Sequence, residues 1–222
     1  MNVESLARAE DGSRGERTRR AILEEAAAIA AAEGLEGLSI GRLAAELGMS
    51  KSGLFAHFGS KEDLQVATVE FVRNRSDREI VAVVEKRVPV AGLERLWGLA
   101  DEYLTRVQHK ATPGGCFLYN ASAEFDSRPG RVRDAIAGQL REWLAVLGSN
   151  ARAAVDRGEL LPETNVEFLT FELSALLFAS NRHFLLLDEA DAFEMSRRAV
   201  AQRLRLSAPG GVLPPFEGLP QT

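Results

Sequence analysis

The chain has one cysteine, Cys116, among 222 residues. A single thiol cannot form a bridge within the chain. That excludes a disulfide framework and leads us to expect a reducing, cytoplasmic setting. Histidine is scarce as well: His57, His109 and His183 fall on separate predicted helices without metal-ligand spacing. The sequence has no Gly-x-Ser-x-Gly elbow, no phosphate-binding glycine loop and no dinucleotide fingerprint. The expectation is therefore a protein without cofactor or metal that is not an enzyme. No apolar run approaches the ~18 residues of a membrane span. The opening MNVESLARAEDGSRGERTRR has no apolar core segment, so neither a membrane partner nor a secretory signal is expected. Alternating β-branched runs and internal repeats are also missing, which leaves helix as the one regular element.

What is present is ordinary globular composition, 45% hydrophobic and 27% charged, with a formal net charge of -5. Net negative charge argues weakly against a nucleic-acid partner. Residues 14–20, RGERTRR, nevertheless set four arginines against one acid, and local charge can face phosphate while the rest of the chain is acidic.

The spacing predicts a helix from Thr18 to Glu33, with Ile22, Ala26, Ile29 and Ala30 on one face and Gly34 as its stop. Ser39 caps a second helix to Leu47, Ser50 a third to Phe58, and Ser60 a fourth that runs to about Arg87 before Pro89. Ser60 and Asp63 match a capping-box pattern. Further helices are predicted at about 92–109, 116–125, 130–157, 165–187 and 189–206. The breakers between them are Thr112-Pro113-Gly114-Gly115, Ser127-Arg128-Pro129-Gly130, and Gly158 with Pro162. The fold class is all-α, with about nine helices. Residues 1–13 and the proline- and glycine-rich 207–222 read as flexible tails.

The stretch LAAELGMSKSGLFAHFGSKEDL cuts an amphipathic segment into pieces about two turns long. Helices that short are marginal alone. Two of them across a glycine turn make a helix-turn-helix, here residues 39–58 with Gly48-Met49 at the turn, whose second helix suits a DNA major groove. Leu54 and Phe58 then face the domain, and Lys51, Ser52 and His57 face outward. Ser39, Ser50 and Ser60 stand at helix N-termini, which attract phosphate. Gly53 lets backbone approach DNA closely. Lys61 opposes the helix dipole unless a phosphate lies nearby. A plain αα-hairpin, with serines serving only as caps, fits the same spacing.

Residues 17–64 resemble the DNA-binding domain of the TetR family of bacterial transcriptional repressors. The residues that carry the resemblance are RRAILEEA and EGLEGLSIGRLAAELGMSKSGLFAHFGSKEDL. The chain departs from the pattern at Gly53, where threonine, serine or alanine is usual, and at Phe55, where a tyrosine usually supplies a phosphate donor. The resemblance implies a DNA-binding domain over 14–64 that uses Arg17, Arg19, Ser39, Ser50, Lys51, Ser52, Gly53, Phe55, His57 and Lys61. It implies an effector-binding and dimerisation domain over 65–206, with helix 61–87 linking the two. The implied partners are a double-stranded DNA operator, a small-molecule effector that releases it, and a second copy docked through helices 165–187 and 189–206. FLTFELSALLFASNRHFLLL is apolar on more than one face, as such an interface needs; a central core helix of the monomer would look similar.

TPGGCFLYNASAEFDSRPG also resembles a segment of several subfamilies in which a glycine-cysteine pair opens the sixth helix. Cys116 reads either as a small buried apolar residue or as a redox or electrophile sensor at a helix N-terminus. An apolar or amphipathic effector is expected in a pocket among helices 92–109, 116–125, 130–157 and 165–187. Trp97, Cys116, Phe117, Asn120, Phe178 and His183 are its candidate lining. Asn181 and His183, two apart on one helix, do not point the same way.

Overall fold

The computed structural model describes residues 13–109 and 114–220; the Thr112-Pro113 breaker and the predicted tail over 1–12 lie outside the described residues. Every regular element among the described residues is a helix. The elements are α1 (Arg14–Glu33), α2 (Ile40–Glu46), α3 (Lys51–Phe58), α4 (Lys61–Val72), a π turn (Arg73–Asp77), α5 (Arg78–Arg87), α6 (Leu93–Gln108), α7 (Phe117–Phe125), α8 (Arg131–Asp156), α9 (Val166–Leu186) and α10 (Ala192–Ser207). The π turn joins α4 and α5 into one rod, so the described residues form nine rods, as the sequence leads one to expect.

Helix α1 begins four residues before its predicted start. Ser13 and Glu16 form a reciprocal capping box, with the Glu16 N–H donating to Ser13 Oγ and the Ser13 N–H to Glu16 Oε2. Two orphan donors are satisfied there, which extends the helix through the arginine-rich segment. The α4–α5 rod differs from the expected uninterrupted helix by its π turn. Its buried Leu64, Thr68, Val72, Ile80 and Val84 fall at multiples of four. At 3.6 residues per turn such a row drifts around the axis, and one wider turn takes up the drift. Helix α4 accordingly packs on α1 and α8, and α5 on α6.

The second layer is α6, α8, α9 and α10, packed around Trp97, Leu104, Leu147, Leu173, Phe193 and Leu204. Half-buried ion pairs tie this layer together: Arg197 Nε to Asp101 Oδ1 at 2.6 Å, and Arg203 Nε to Glu172 Oε2 at 2.5 Å. The glycine pair before α7 is explained by close approach. Both residues have positive φ. A Cβ on Gly114 would lie 1.9 Å from the Ala31 carbonyl oxygen, and one on Gly115 would lie 2.2 Å from Asn181 Oδ1.

The C-terminal segment does not trail free as its composition suggests. Leu213 is buried, and Phe216 and Leu219 pack against the core. The Trp97 indole N–H donates to the Glu217 carbonyl oxygen at 2.9 Å, and Arg205 Nη2 donates to the Pro220 carbonyl oxygen at 3.1 Å. Proline and glycine hold the segment extended, and its apolar residues find a cleft that exists only once α5 and α6 are packed. Ending the chain at Gly211 uncovers that cleft. Burial of one large apolar side chain contributes roughly 1.5–3 kcal/mol. At about 2–4 °C per kcal/mol for a chain of this size, a fall in Tm of about 3–12 °C is expected by thermal unfolding, and a Tm unchanged by the truncation would contradict the docking.

Candidate nucleic-acid interface

The helix-turn-helix is built by punctuation. Ser39 Oγ accepts from the Arg42 N–H at 3.2 Å and opens α2. Gly48, at φ +62, makes the turn, and the Met49 N–H returns to the Ala44 carbonyl at 2.8 Å. Ser50 Oγ then accepts from the Gly53 N–H at 3.1 Å and opens α3, which Gly59 closes at φ +69. Leu54 and Phe58 are buried, while Lys51, Ser52, Phe55 and Ala56 are exposed. The short helix therefore has one anchored face and one free face.

The free face gathers most of the expected residues. The Lys51 stem lies across α2 at Gly41, where a Cβ would meet Lys51 Cε at 3.1 Å. That sets the ammonium beside the α2 N-terminus, so a cation and a set of backbone donors share one neighbourhood. Ser52 reaches the capping Ser50 hydroxyl at 3.2 Å. His57 is half-buried beside Phe58. Arg17 and Arg19 are exposed on α1, with the Arg19 guanidinium 4.9 Å from the Phe58 ring centre. Phe55 presents a bare ring, 48% exposed, at the position where the family's tyrosine is usual. At Gly53 a Cβ would sit 3.1 Å from Ser50 Oγ, so a side chain there would crowd the cap.

Lys61 does not fit the expectation of an ammonium held out for phosphate. It donates to the Glu36 carbonyl oxygen at 2.8 Å and pairs with Glu36 Oε1 at 3.1 Å. The Glu36 carboxyl is held below its ordinary pKa first by the Lys61 hydrogen bond. Arg42 is likewise engaged. It forms a two-pronged pair with Glu33, whose carboxyl it holds below its ordinary value.

Behind the free face lies a polar junction with the second layer. Glu124 of α7 spreads its two carboxylate oxygens over consecutive backbone donors of the α1–α2 loop, the Leu35 and Glu36 N–H groups, at 2.8 Å each. The buried Gln65 side chain donates to the Leu35 carbonyl at 2.9 Å. At the first turn of α4, Asp63 accepts from Ser60 at 2.6 Å and from Arg131 of α8 at 2.7 Å. The Ser60 hydroxyl first, and then Arg131, hold the Asp63 carboxyl below its usual value. A carboxyl depressed in this way contributes stability at pH values above the ordinary carboxylate range and loses it as pH falls through its own lower pKa. No signal in the local sequence points to the Glu124 clamp, because its partners are almost ninety residues away.

The structure brings the residues expected to line an effector pocket together only in part: Cys116 and Asn120 meet at Asn181, and Phe178 lies against the neighbouring Tyr119. Trp97 lies apart from them, on the wall of a cleft of about 350 Å³ that Phe216 and Glu217 of the C-terminal segment also line. Cys116 is buried, its sulfur accepting from the Tyr119 N–H at 3.4 Å and its own N–H donating to Asn181 Oδ1 at 2.9 Å. Phe117 is core. Asn120 donates to the Gly114 carbonyl and accepts from Asn181. Phe178 lies tilted against Tyr103 and edge-on to Tyr119. His183 turns outward onto Glu189 at 2.7 Å while Asn181 turns inward. A cleft of about 270 Å³ lies elsewhere, between α5 and α8 beside the π turn.

A braced two-turn helix with a cationic outer face, carried by a larger helical body, defines a helix-turn-helix DNA-binding protein. Residues 22–68 match the family model described as bacterial regulatory proteins, tetR family, and residues 92–200 match the tetracyclin repressor-like C-terminal domain. The chain belongs to the TetR family of transcriptional regulators, whose members bind DNA operators and small-molecule effectors and are not enzymes. Solved structures of similar fold include a TetR-family regulator from Streptomyces coelicolor, 23% identical over 94% of this chain and 97% of that one, with a TM-score of 0.73. Another, from Cytophaga hutchinsonii, is 19% identical over 89% and 98%, with a TM-score of 0.77. A third is AibR in complex with isovaleryl coenzyme A and operator DNA, 22% identical over 80% and 95%, with a TM-score of 0.63. No curated protein matches the chain by sequence. No helix among the described residues is long and apolar enough to cross a membrane.

The Glu124 clamp has a measurable consequence. Glu124→Ala removes two charge-assisted hydrogen bonds to backbone, which should cost about 2 kcal/mol and about 4–8 °C in Tm. Glu124→Gln keeps one acceptor and should lose about half as much. A Tm within 1 °C of the parent for Glu124→Ala, by calorimetry, would show that the clamp adds nothing to folding.

Proposed function

We propose that the protein is a cytoplasmic repressor that binds a near-palindromic operator as a homodimer and releases it when a small molecule binds the second layer. The observation that carries this reading is the division of α3: Leu54 and Phe58 are buried, and Lys51, Ser52 and Phe55 stand exposed beside three serine-capped N-termini. Groove-reading needs such a helix, held rigidly from one side and free on the other. Arg17, Arg19, Ser39, Ser50, Lys51, Ser52, Gly53, Phe55 and His57 are its proposed DNA-facing residues. Lys61 is assigned to bracing the α1–α2 loop instead.

The second copy is supported by apolar surface left open on the last two helices. Phe168, Phe171, Leu185 and Leu186 of α9, and Met195 and Leu206 of α10, are all exposed, Phe171 by 67% and Leu186 by 71%. Large apolar side chains exposed in such number on two packed helices favour an interface. Two-fold pairing through α9 and α10 would place two α3 helices on one side of a DNA duplex. Release by ligand is supported by the α4–α5 rod, which starts beside α3 and ends in the second layer. It is supported also by AibR, a protein of like fold that holds an acyl coenzyme A and operator DNA. Cys116 is not needed as a sensor: it is buried and caps α7.

The test is fluorescence anisotropy with DNA from upstream of the protein's own gene, repeated across a salt series. Lys51→Ala should weaken binding and lower the slope of log K against log salt by about 1, as loss of one phosphate contact requires. His57→Ala should weaken binding roughly 5- to 10-fold, the effect of about one lost hydrogen bond. Unchanged affinity and slope in both variants would remove α3 from the interface.

A further inference from the structure

The cleft beside the π turn is walled by arginines, a tryptophan and apolar side chains. We infer that it is a binding site for a small monoanionic acid, a carboxylate on an apolar body. Its regulatory consequence rests on the ligand-released repressor proposed above, but its chemistry does not.

The polar groups left over at this cleft are donors. Trp143 is 4% exposed, and its indole N–H is buried with no acceptor. Arg73 Nε is also buried without an acceptor. Both residues line the cleft. Buried N–H groups are paired in nearly every native structure, so two of them on residues that wall one cavity point to an absent acceptor. Arg78, also on the wall, is exposed and forms no ion pair among the described residues.

The acids nearby are already balanced. Glu142 takes Arg73 Nη1 at 3.1 Å, and Glu85 takes Arg95 Nη1 at 3.1 Å. Each of the two carboxylates on the wall is thus paired with an arginine, and Arg78 is left with none among the described residues, free to meet one negative charge. A carboxylate accepts and never donates, and its two oxygens match a guanidinium fork. An ammonium or a neutral hydroxyl head cannot serve Trp143 Nε1, Arg73 Nε and Arg78 in that way.

The rest of the wall is apolar: Val81, Ala82, Val146 and the Trp143 ring. The volume, about 270 Å³, equals that of roughly nine waters in the liquid. An eight-carbon acid is of that scale. Its head would bridge Arg73, the first residue of the π turn, and Arg78, which follows the turn, to Trp143 on α8. That is the joint of the rod whose other end meets the recognition helix, and π turns recur at functional positions.

The experiment is isothermal titration calorimetry of the full-length protein with octanoate and, as the uncharged match, octan-1-ol. Octanoate should bind saturably, one per chain, and octan-1-ol at least about tenfold more weakly, the effect of losing a charge-assisted hydrogen bond. Arg78→Gln should weaken octanoate at least about tenfold, and Trp143→Phe about fivefold, with octan-1-ol unaffected by either. Arg78 is exposed, so its variant tests the site even if the buried Trp143→Phe fails to fold. Equal affinity for acid and alcohol, no effect of Arg78→Gln, or no saturable octanoate binding at millimolar concentration would each overturn the assignment. Operator affinity measured with saturating octanoate separates the two proposals. Binding that depends on Arg78 but leaves operator affinity unchanged upholds the site and contradicts ligand-controlled release.

Discussion

A helix of seven or eight residues has too few hydrogen bonds to stand alone in water, and the account turns on how α2 and α3 are held up. Each gains a serine cap at its start and a glycine or tight turn at its end. Leu43 and Leu54, both fully buried, anchor the pair in the core formed by α1 and α4. Because local propensity supplies so little, the orientation of α3 is set by what it leans on. Any shift in α1, in the α1–α2 loop or in the first turn of α4 is a shift in α3. That dependence makes a poor free-standing helix and a responsive reading head.

The supports of α3 are fastened in turn to the second layer by polar contacts of defined geometry. Glu124 holds two backbone N–H groups of the α1–α2 loop, Arg131 holds Asp63 at the start of α4, and Gly114 lets the α7 loop press on the last turn of α1. Such contacts are directional, and they tie α7 and α8 to the α1–α2 loop and to the first turn of α4. A ligand changes DNA affinity only through unequal binding to two arrangements of these parts. The π turn is where the rod between the layers departs from regular geometry, and the cleft with unpaired donors opens beside it.

Much of this was legible in the sequence, for a physical reason. Serine before and glycine after each short helix act within four residues, so the ends of α2, α3 and the start of α4 follow from local chemistry alone. The split of α3 into Leu54 and Phe58 against Lys51, Ser52 and His57 is a matter of helical period. Features set by distant partners were not legible. Lys61 looks like a cation awaiting phosphate until Glu36 is brought to it. The Pro- and Gly-rich end looks unstructured until α5 and α6 make a cleft for Leu213 and Phe216. Phe117 looks like a pocket wall but is core, because aromatic residues line pockets and fill cores alike. The Ser13–Glu16 box was readable in principle, but Gly15 between them and the surrounding arginines obscured it. The π turn leaves almost no trace in Arg-Asn-Arg-Ser-Asp beyond a buried row spaced by fours.

The central claim is that two copies of α3, carried by one dimer, read one face of a DNA duplex. A hydroxyl-radical footprint on DNA selected by the purified protein tests it directly. The account predicts two protected patches on the same face of the duplex, about 34–36 Å or a multiple of one helical turn apart. Failure to select any sequence, or a single protected patch of one half-site at saturating protein, would contradict it.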